Sequence, residues 1–249
     1  MTLTEHLREL RQRVIWSAIA IAIGMGISWA YRELLFDWLM EPYAVVMRVR
    51  YPELTDYISF RSLIEPFAVY LKTSLLGGVL LAGPVVLLQI WLFVGPGLHA
   101  HEKRMALPFL LATIVFFFGG VGFCRYLVLE PAMGVLLDIG ETSASPNIMM
   151  QEYFSFTTRM LIVFGVLFEM PVVITFLSWL ELVTAAFLIR QWRYAVVLTF
   201  VLGAMLTPPD PLSQAMLAIP LCVLYLLSVG ICRLIELSRA RRRRTEPAA

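Results

Sequence analysis

Six stretches of this sequence are nearly free of charge: residues 14–31, 74–94, 105–124, 160–180, 194–206 and 212–232. An apolar helix of about 20 residues covers the roughly 30 Å hydrocarbon core of a bilayer. A chain crossing that core must pair every backbone polar group within itself, so each stretch reads as a transmembrane helix. Composition agrees: of 249 residues, 59% are hydrophobic and 15% charged, where soluble domains carry about a quarter. Intrinsic disorder is excluded by the same figures, because it requires low hydrophobicity and high net charge. Cys124, Cys222 and Cys232 are an odd number and lie in or beside apolar runs, so they read as small hydrophobes rather than a disulfide framework.

The expected fold is an all-α polytopic membrane protein of six transmembrane helices in one domain over residues 1–235, followed by a basic cytoplasmic tail, 236–249, expected to be disordered. Residues 194–206 would rise only about 20 Å as a helix, and Pro220 interrupts 212–232, so the fifth and sixth spans are expected to be short. In the first span, Ala18, Ala22, Gly26 and Ala30 recur every four residues. Such small-xxx-small spacing predicts a ridge where another helix approaches closely. The same end also suits a signal peptide, but its apolar core is longer than the usual 7–15 residues. Pro84, Pro108, Pro131, Pro171, Pro208, Pro209, Pro211 and Pro220 punctuate the spans or their ends. Each one inside a helix removes a backbone hydrogen bond and predicts a kink.

Sidedness follows from the basic residues. With six spans both termini share one side, and that side carries 13 of the 20 Lys and Arg. The positive-inside rule therefore places both termini in the cytoplasm. Residues 32–72 then form an outer loop, whose amphipathic stretch Leu34–Met47 predicts an ordered cap.

Signatures of catalysis are missing. The chain has no Walker A loop, no G-x-G-x-x-G and no G-x-S-x-G. His101-Glu102 opens like a zinc-protease motif, but Met105 stands where its second histidine belongs. No enzyme, cofactor, metal or nucleic-acid partner is expected. Carboxylates at informative depths remain. Glu9 lies in a polar helical run before the first span, where Thr2 and Glu5 fit a capping box. It reads either as an i,i+4 partner of Arg13 or as a ligand-binding acid. Glu102, in the loop between spans two and three, reads as a solvated loop charge, a helix cap or a binding acid. Glu169 stands mid-span, nine uncharged residues after Arg159. A charge at that depth costs at least about 2.5 kcal/mol, so it must be protonated, partnered or hydrated. Pro171 leaves the carbonyl of Leu167 without its helical donor, making a polar weak point beside it.

Six fragments carry a resemblance. His6-Leu7-Arg8-Glu9-Leu10-Arg11, Glu65-Pro66-Phe67, Pro84 through Gln89-Ile90-Trp91-Leu92-Phe93, Gly97-Leu98-His99-Ala100-His101-Glu102-Lys103-Arg104, Phe168-Glu169-Met170-Pro171 and Leu206-Thr207-Pro208-Pro209-Asp210-Pro211-Leu212-Ser213-Gln214 occur in one order over about residues 4–235. Together they resemble the TatC family, the multispanning receptor subunits of the bacterial twin-arginine protein translocase. Lys103, in place of the more usual arginine, and the basic tail depart from the family pattern.

The resemblance implies a component of the bacterial cytoplasmic (inner) membrane that exports folded proteins on the proton motive force. It implies a signal-peptide site at Glu9 and Glu102, shaped by Arg11 and His101, with Phe93 close by. Guanidinium forks bind carboxylates bidentately in a way lysine does not reproduce, which suits a signal bearing two arginines. It further implies that Glu169, with Met205, Leu206, Thr207 and Gln214, meets the single-span partners TatA and TatB. Other implied associates are the folded cargo, membrane lipids and further copies of the chain. Short fifth and sixth helices would thin the local bilayer by hydrophobic mismatch. The basic run Arg239–Arg244 reads as a solvated, topology-reinforcing tail or as a contact for anionic lipid or cargo. The competing reading is a proton-coupled small-solute transporter using Glu169, against which stands the lack of an inverted repeat.

Overall fold

The computed structural model describes residues 3–53, 58–94, 106–140, 148–206 and 211–245. Among these, ten α-helices account for nearly everything: α1 Leu3–Ala30, α2 Arg32–Arg50, α3 Glu65–Val94, α4 Ala106–Phe123, α5 Leu129–Gly140, α6 Met150–Leu167, α7 Met170–Trp179, α8 Ala185–Arg190, α9 Trp192–Leu206 and α10 Pro211–Thr245. A single turn of π-helix, Cys124–Val128, joins α4 to α5. Five helical stretches are long and apolar enough to cross a membrane, and Trp192–Met205 is a shorter sixth.

The chain divides into two compact units: residues 1–115 with 137–161, and residues 116–136 with 162–249. In the first, α1 and α3 touch backbone to backbone. A Cβ on Gly24 would fall 2.8 Å from the carbonyl oxygen of Gly78, and one on Gly78 would fall 2.7 Å from the amide nitrogen of Met25. Small residues are what permit such an approach, and the many van der Waals contacts it creates replace the missing hydrophobic drive between helices in lipid. The contact face of α1 therefore runs through Gly24 and Ser28, both buried. The ridge expected from spacing, Ala18, Ala22, Gly26 and Ala30, is exposed, and a Cβ on Gly26 would meet nothing within 4 Å.

The cap expected after the first span is built on α2, which buries Leu39, Pro42, Tyr43, Val46 and Met47 on one face. Tyr153 of α6 donates a buried hydrogen bond to the carbonyl of Leu39, and Phe36 stacks on Phe154 at 4.7 Å. Glu65 closes the cap, its carboxylate accepting the backbone N–H groups of Arg61 at 2.7 Å and Gln151 at 2.9 Å. Arg50 pairs with Asp138. Burial pushes the Tyr43 phenol up to about 12.

In the second unit Gly120 supports another close crossing, where a Cβ would lie 2.6 Å from the carbonyl oxygen of Phe164. Three expectations are corrected here. The last helix is long rather than short, 35 residues, and it continues to Thr245 where a disordered tail was expected. Arg125, counted as a loop charge, is buried inside a continuous helical stretch, 1% exposed. Pro84 and Pro220 lie inside α3 and α10, which stay helical across them with one backbone hydrogen bond fewer.

Candidate functional site

Two polar features stand out, one in each unit. The first lies at the N-terminal end of α1. The Gly24–Gly78 crossing fixes how the antiparallel α1 and α3 run alongside each other, so residues about four turns before Gly24 meet those about three to four turns after Gly78. Glu9 and Arg13 lie one turn apart on this face and form an ion pair at 3.2 Å. Arg13 also donates to Gln89 Oε1 of α3 at 3.2 Å. One α3 turn further on, Phe93 stacks against His6, ring centroids 4.5 Å apart. Glu9 is thus half-buried, its side chain 19% exposed, with a guanidinium already seated on it. Arg11, two residues from Glu9, falls on the far side of the helix and is exposed, so it does not join this cluster.

The second feature surrounds Glu169. Pro171 stands at the start of α7 and carries no N–H for the carbonyl of Leu167, so the helix breaks between α6 and α7. Glu169 sits in that break: its N–H turns to the carbonyl of Val166, three residues back, at 3.1 Å, and its own carbonyl accepts Val173 N–H at 2.9 Å. Glu169 lines a groove of about 610 Å3 walled by α6, α7, α9 and α10. Leu167, Val173, Val196, Leu202, Leu221 and Leu226 are among its apolar lining, and Thr199, Cys222 and Tyr225 among its polar lining. Thr199 Oγ1 donates to the carbonyl of Val196 at 2.7 Å and lies 3.6 Å from Cys222 Sγ; Tyr225 donates to the carbonyl of Leu188 at 2.7 Å. This is a nearly all-apolar slot with Glu169 among its lining residues.

The remaining candidate residues divide as follows. Glu102, His101 and Thr207 lie outside the described residues, as does the side chain of Leu206. Met205 is 72% exposed at the end of α9, and Gln214 packs against Gly203 across the α9–α10 corner, 3.5 Å from where its Cβ would be. Neither lines the Glu169 groove among the described residues. Sequence reasoning passed over Gln89, His6, Thr199 and Cys222. Gln89 had a usable signal, a lone amide in an otherwise apolar span; Thr199 and Cys222 had none, since either fills an apolar helix face unremarkably.

Comparison with known proteins is consistent along the chain. Residues 5–220 match the family model of the Sec-independent protein translocase protein TatC. A TatC of Koribacter versatilis is 35% identical over 245 residues, spanning 98% of this chain and 89% of that one. One from Aquifex aeolicus is 39% identical over 236 residues, 94% and 95% of the two chains. The crystal structure of a twin-arginine translocase receptor TatC superposes with a TM-score of 0.79 at 38% identity, covering 92% of this chain and 98% of that one.

Proposed function

The chain belongs to the TatC family, and from that premise we propose how its two polar features serve a Sec-independent protein translocase, of which it is a membrane-embedded core subunit. It is a transport component and not a member of an enzyme family. Glu9, together with Glu102, receives the two arginines of a twin-arginine signal peptide at the cytoplasmic face. The observation that carries this reading is the seat Glu9 already provides: half-buried between α1 and α3, it holds the guanidinium of Arg13. An incoming arginine finds a carboxylate whose desolvation has already been met. Phe93 and His6 offer a stacked aromatic surface beside it for the apolar part of the signal.

The Glu169 groove receives the single helix of a TatA- or TatB-type partner, with Met205, Leu206, Thr207 and Gln214 extending the contact around the end of α9. The protein resides in the bacterial inner membrane with both termini inside, and export of folded cargo draws on the proton motive force. Small-solute transport is not favoured, since the groove is nearly all hydrocarbon apart from one carboxyl.

The test is complementation. In cells lacking their own TatC, this chain with its native partners should restore export of a folded reporter bearing a twin-arginine signal. Stable insertion without export would defeat the proposal. Glu9→Ala with Glu102→Ala should abolish cross-linking to the signal peptide at normal protein level; unchanged cross-linking would remove the site assignment while leaving the family intact.

A further inference from the structure

Where α8 turns into α9, two cations form no ion pair among the described residues. Arg190 ends α8, Gln191 caps it, and Arg193 lies in the first turn of α9. Gln191 donates its backbone N–H to the carbonyls of Phe187 and Leu188, and its own carbonyl accepts from Tyr194 and Ala195. This tight corner presents Arg190, Trp192, Arg193 and Tyr194 around one shallow pocket of about 780 Å3, with Phe187 and Val197 as its apolar floor. Both arginines are exposed, and neither forms an ion pair or hydrogen bond among the described residues. Nearby acids are committed elsewhere: Glu236 accepts the backbone N–H of Ala185, and Glu181 pairs with Arg239.

We infer that this corner is a binding site for the phosphate headgroup of an anionic phospholipid, with the acyl chain lying along Val197. Three features select that occupant. Trp192 and Tyr194, 52% and 75% exposed, are amphipathic rings of the kind that settle at the headgroup level. α9 has 15 residues and so rises about 22 Å, less than the roughly 30 Å of hydrocarbon, which brings its end and its arginines into the zone where headgroups must bend inward. Two guanidiniums without an ion pair among the described residues attract an anion, and the forked donors of arginine fit phosphate oxygens. A zwitterionic lipid brings its own cation and satisfies this less well. The inference uses the membrane-spanning nature of the chain and is independent of the signal-peptide assignment.

Native mass spectrometry of the purified full-length protein, titrated with phosphatidylglycerol or phosphatidylcholine, tests it. The wild type should retain phosphatidylglycerol preferentially. Arg190→Gln with Arg193→Gln should weaken that adduct on the order of tenfold or more, with the lipid-free melting temperature unchanged, while Arg190→Lys with Arg193→Lys, which keeps the charge but not the fork, retains only part of the preference. Arg48→Gln, which removes an exposed cation elsewhere, should have no effect. An unchanged lipid preference in the Gln pair overturns the inference. So does an equal loss in Arg48→Gln, or displacement of the lipid by glycerol phosphate at equal concentration. Intact lipid preference combined with reduced recovery of the partner complex would reassign the corner to a protein contact and equally defeat it.

Discussion

Glu9 shows how little a single residue needs in order to become a site. Its i,i+4 arginine was visible in the sequence, and alone such a pair contributes about 0.2–0.5 kcal/mol. What changes its chemistry is Gln89, which holds the same guanidinium from α3. Gln89→Ala should loosen Arg13 and lower signal-peptide cross-linking by a few-fold while Glu9→Ala abolishes it, measured at matched protein levels. Glu65 is a structural counterpart. Its carboxylate takes two backbone N–H groups from different segments of the cap, and these charge-assisted bonds hold its pKa below the usual carboxylate range. Glu65→Ala should expose the cap to protease in intact membranes. Tyr43 adds a pH dependence. Its phenol is held up at about 12 by burial, so the folded state favours the neutral form. That stabilisation is complete below the ordinary phenol pKa of about 10 and is lost as the pH climbs from there toward the folded value. The melting temperature should fall across that window in the wild type and fall less in Tyr43→Phe.

Among the helices, backbone proximity decides the packing. Gly78→Ala would put a methyl against the amide of Met25 and the carbonyl of Ile21. Neither is a flexible side-chain end, so α1 must shift, at about 1–3 kcal/mol, and the Glu9–Gln89 register shifts with it. The expected outcome is a lower melting temperature and weaker signal cross-linking from a residue far from the peptide. Gly26→Ala, one of the expected ridge positions, should leave both unchanged. Pro171→Ala tests the α6–α7 break: restoring the missing N–H lets the helix run on and turns Glu169 away from its groove. Cross-linking of a partner helix at Val196 should drop while signal binding at Glu9 persists.

Across the whole molecule, the basic end of α10 acts as a strap on the second unit. Arg239 donates to the carbonyls of Ser178 at 3.1 Å and of Trp179 at the end of α7, and pairs with Glu181 at 3.3 Å. Glu181 turns the chain there with φ 62°, the left-handed conformation that closes a helix. Three residues before Arg239, Glu236 caps α8. Arg239→Ala should cost about 1 kcal/mol and lower the melting temperature by roughly 2–4 °C, whereas deleting residues 246–249 should not. A run of arginines reads in sequence as a solvated tail because nothing local reveals that Arg239 will meet the end of a helix some 60 residues earlier.

The sequence by itself determined that the chain spans a membrane, roughly where, and which acid is stranded at depth. Those are statements about single residues against a solvent, and lipid penalises charge and unpaired backbone wherever the chain folds. It also showed the weak point at Pro171, though Pro84 and Pro220 lack the same donor inside unbroken helices, so the break itself was not legible there. The tertiary structure alone decided which face of α1 packs. Helix and lipid are both apolar, so hydrophobic periodicity carries no information about which side meets protein, and two ridges of small residues look equally fit. Only the position of Gly78 on the opposing helix chose Gly24 and Ser28 over Ala22 and Gly26, and with that choice set Glu9 beside Gln89.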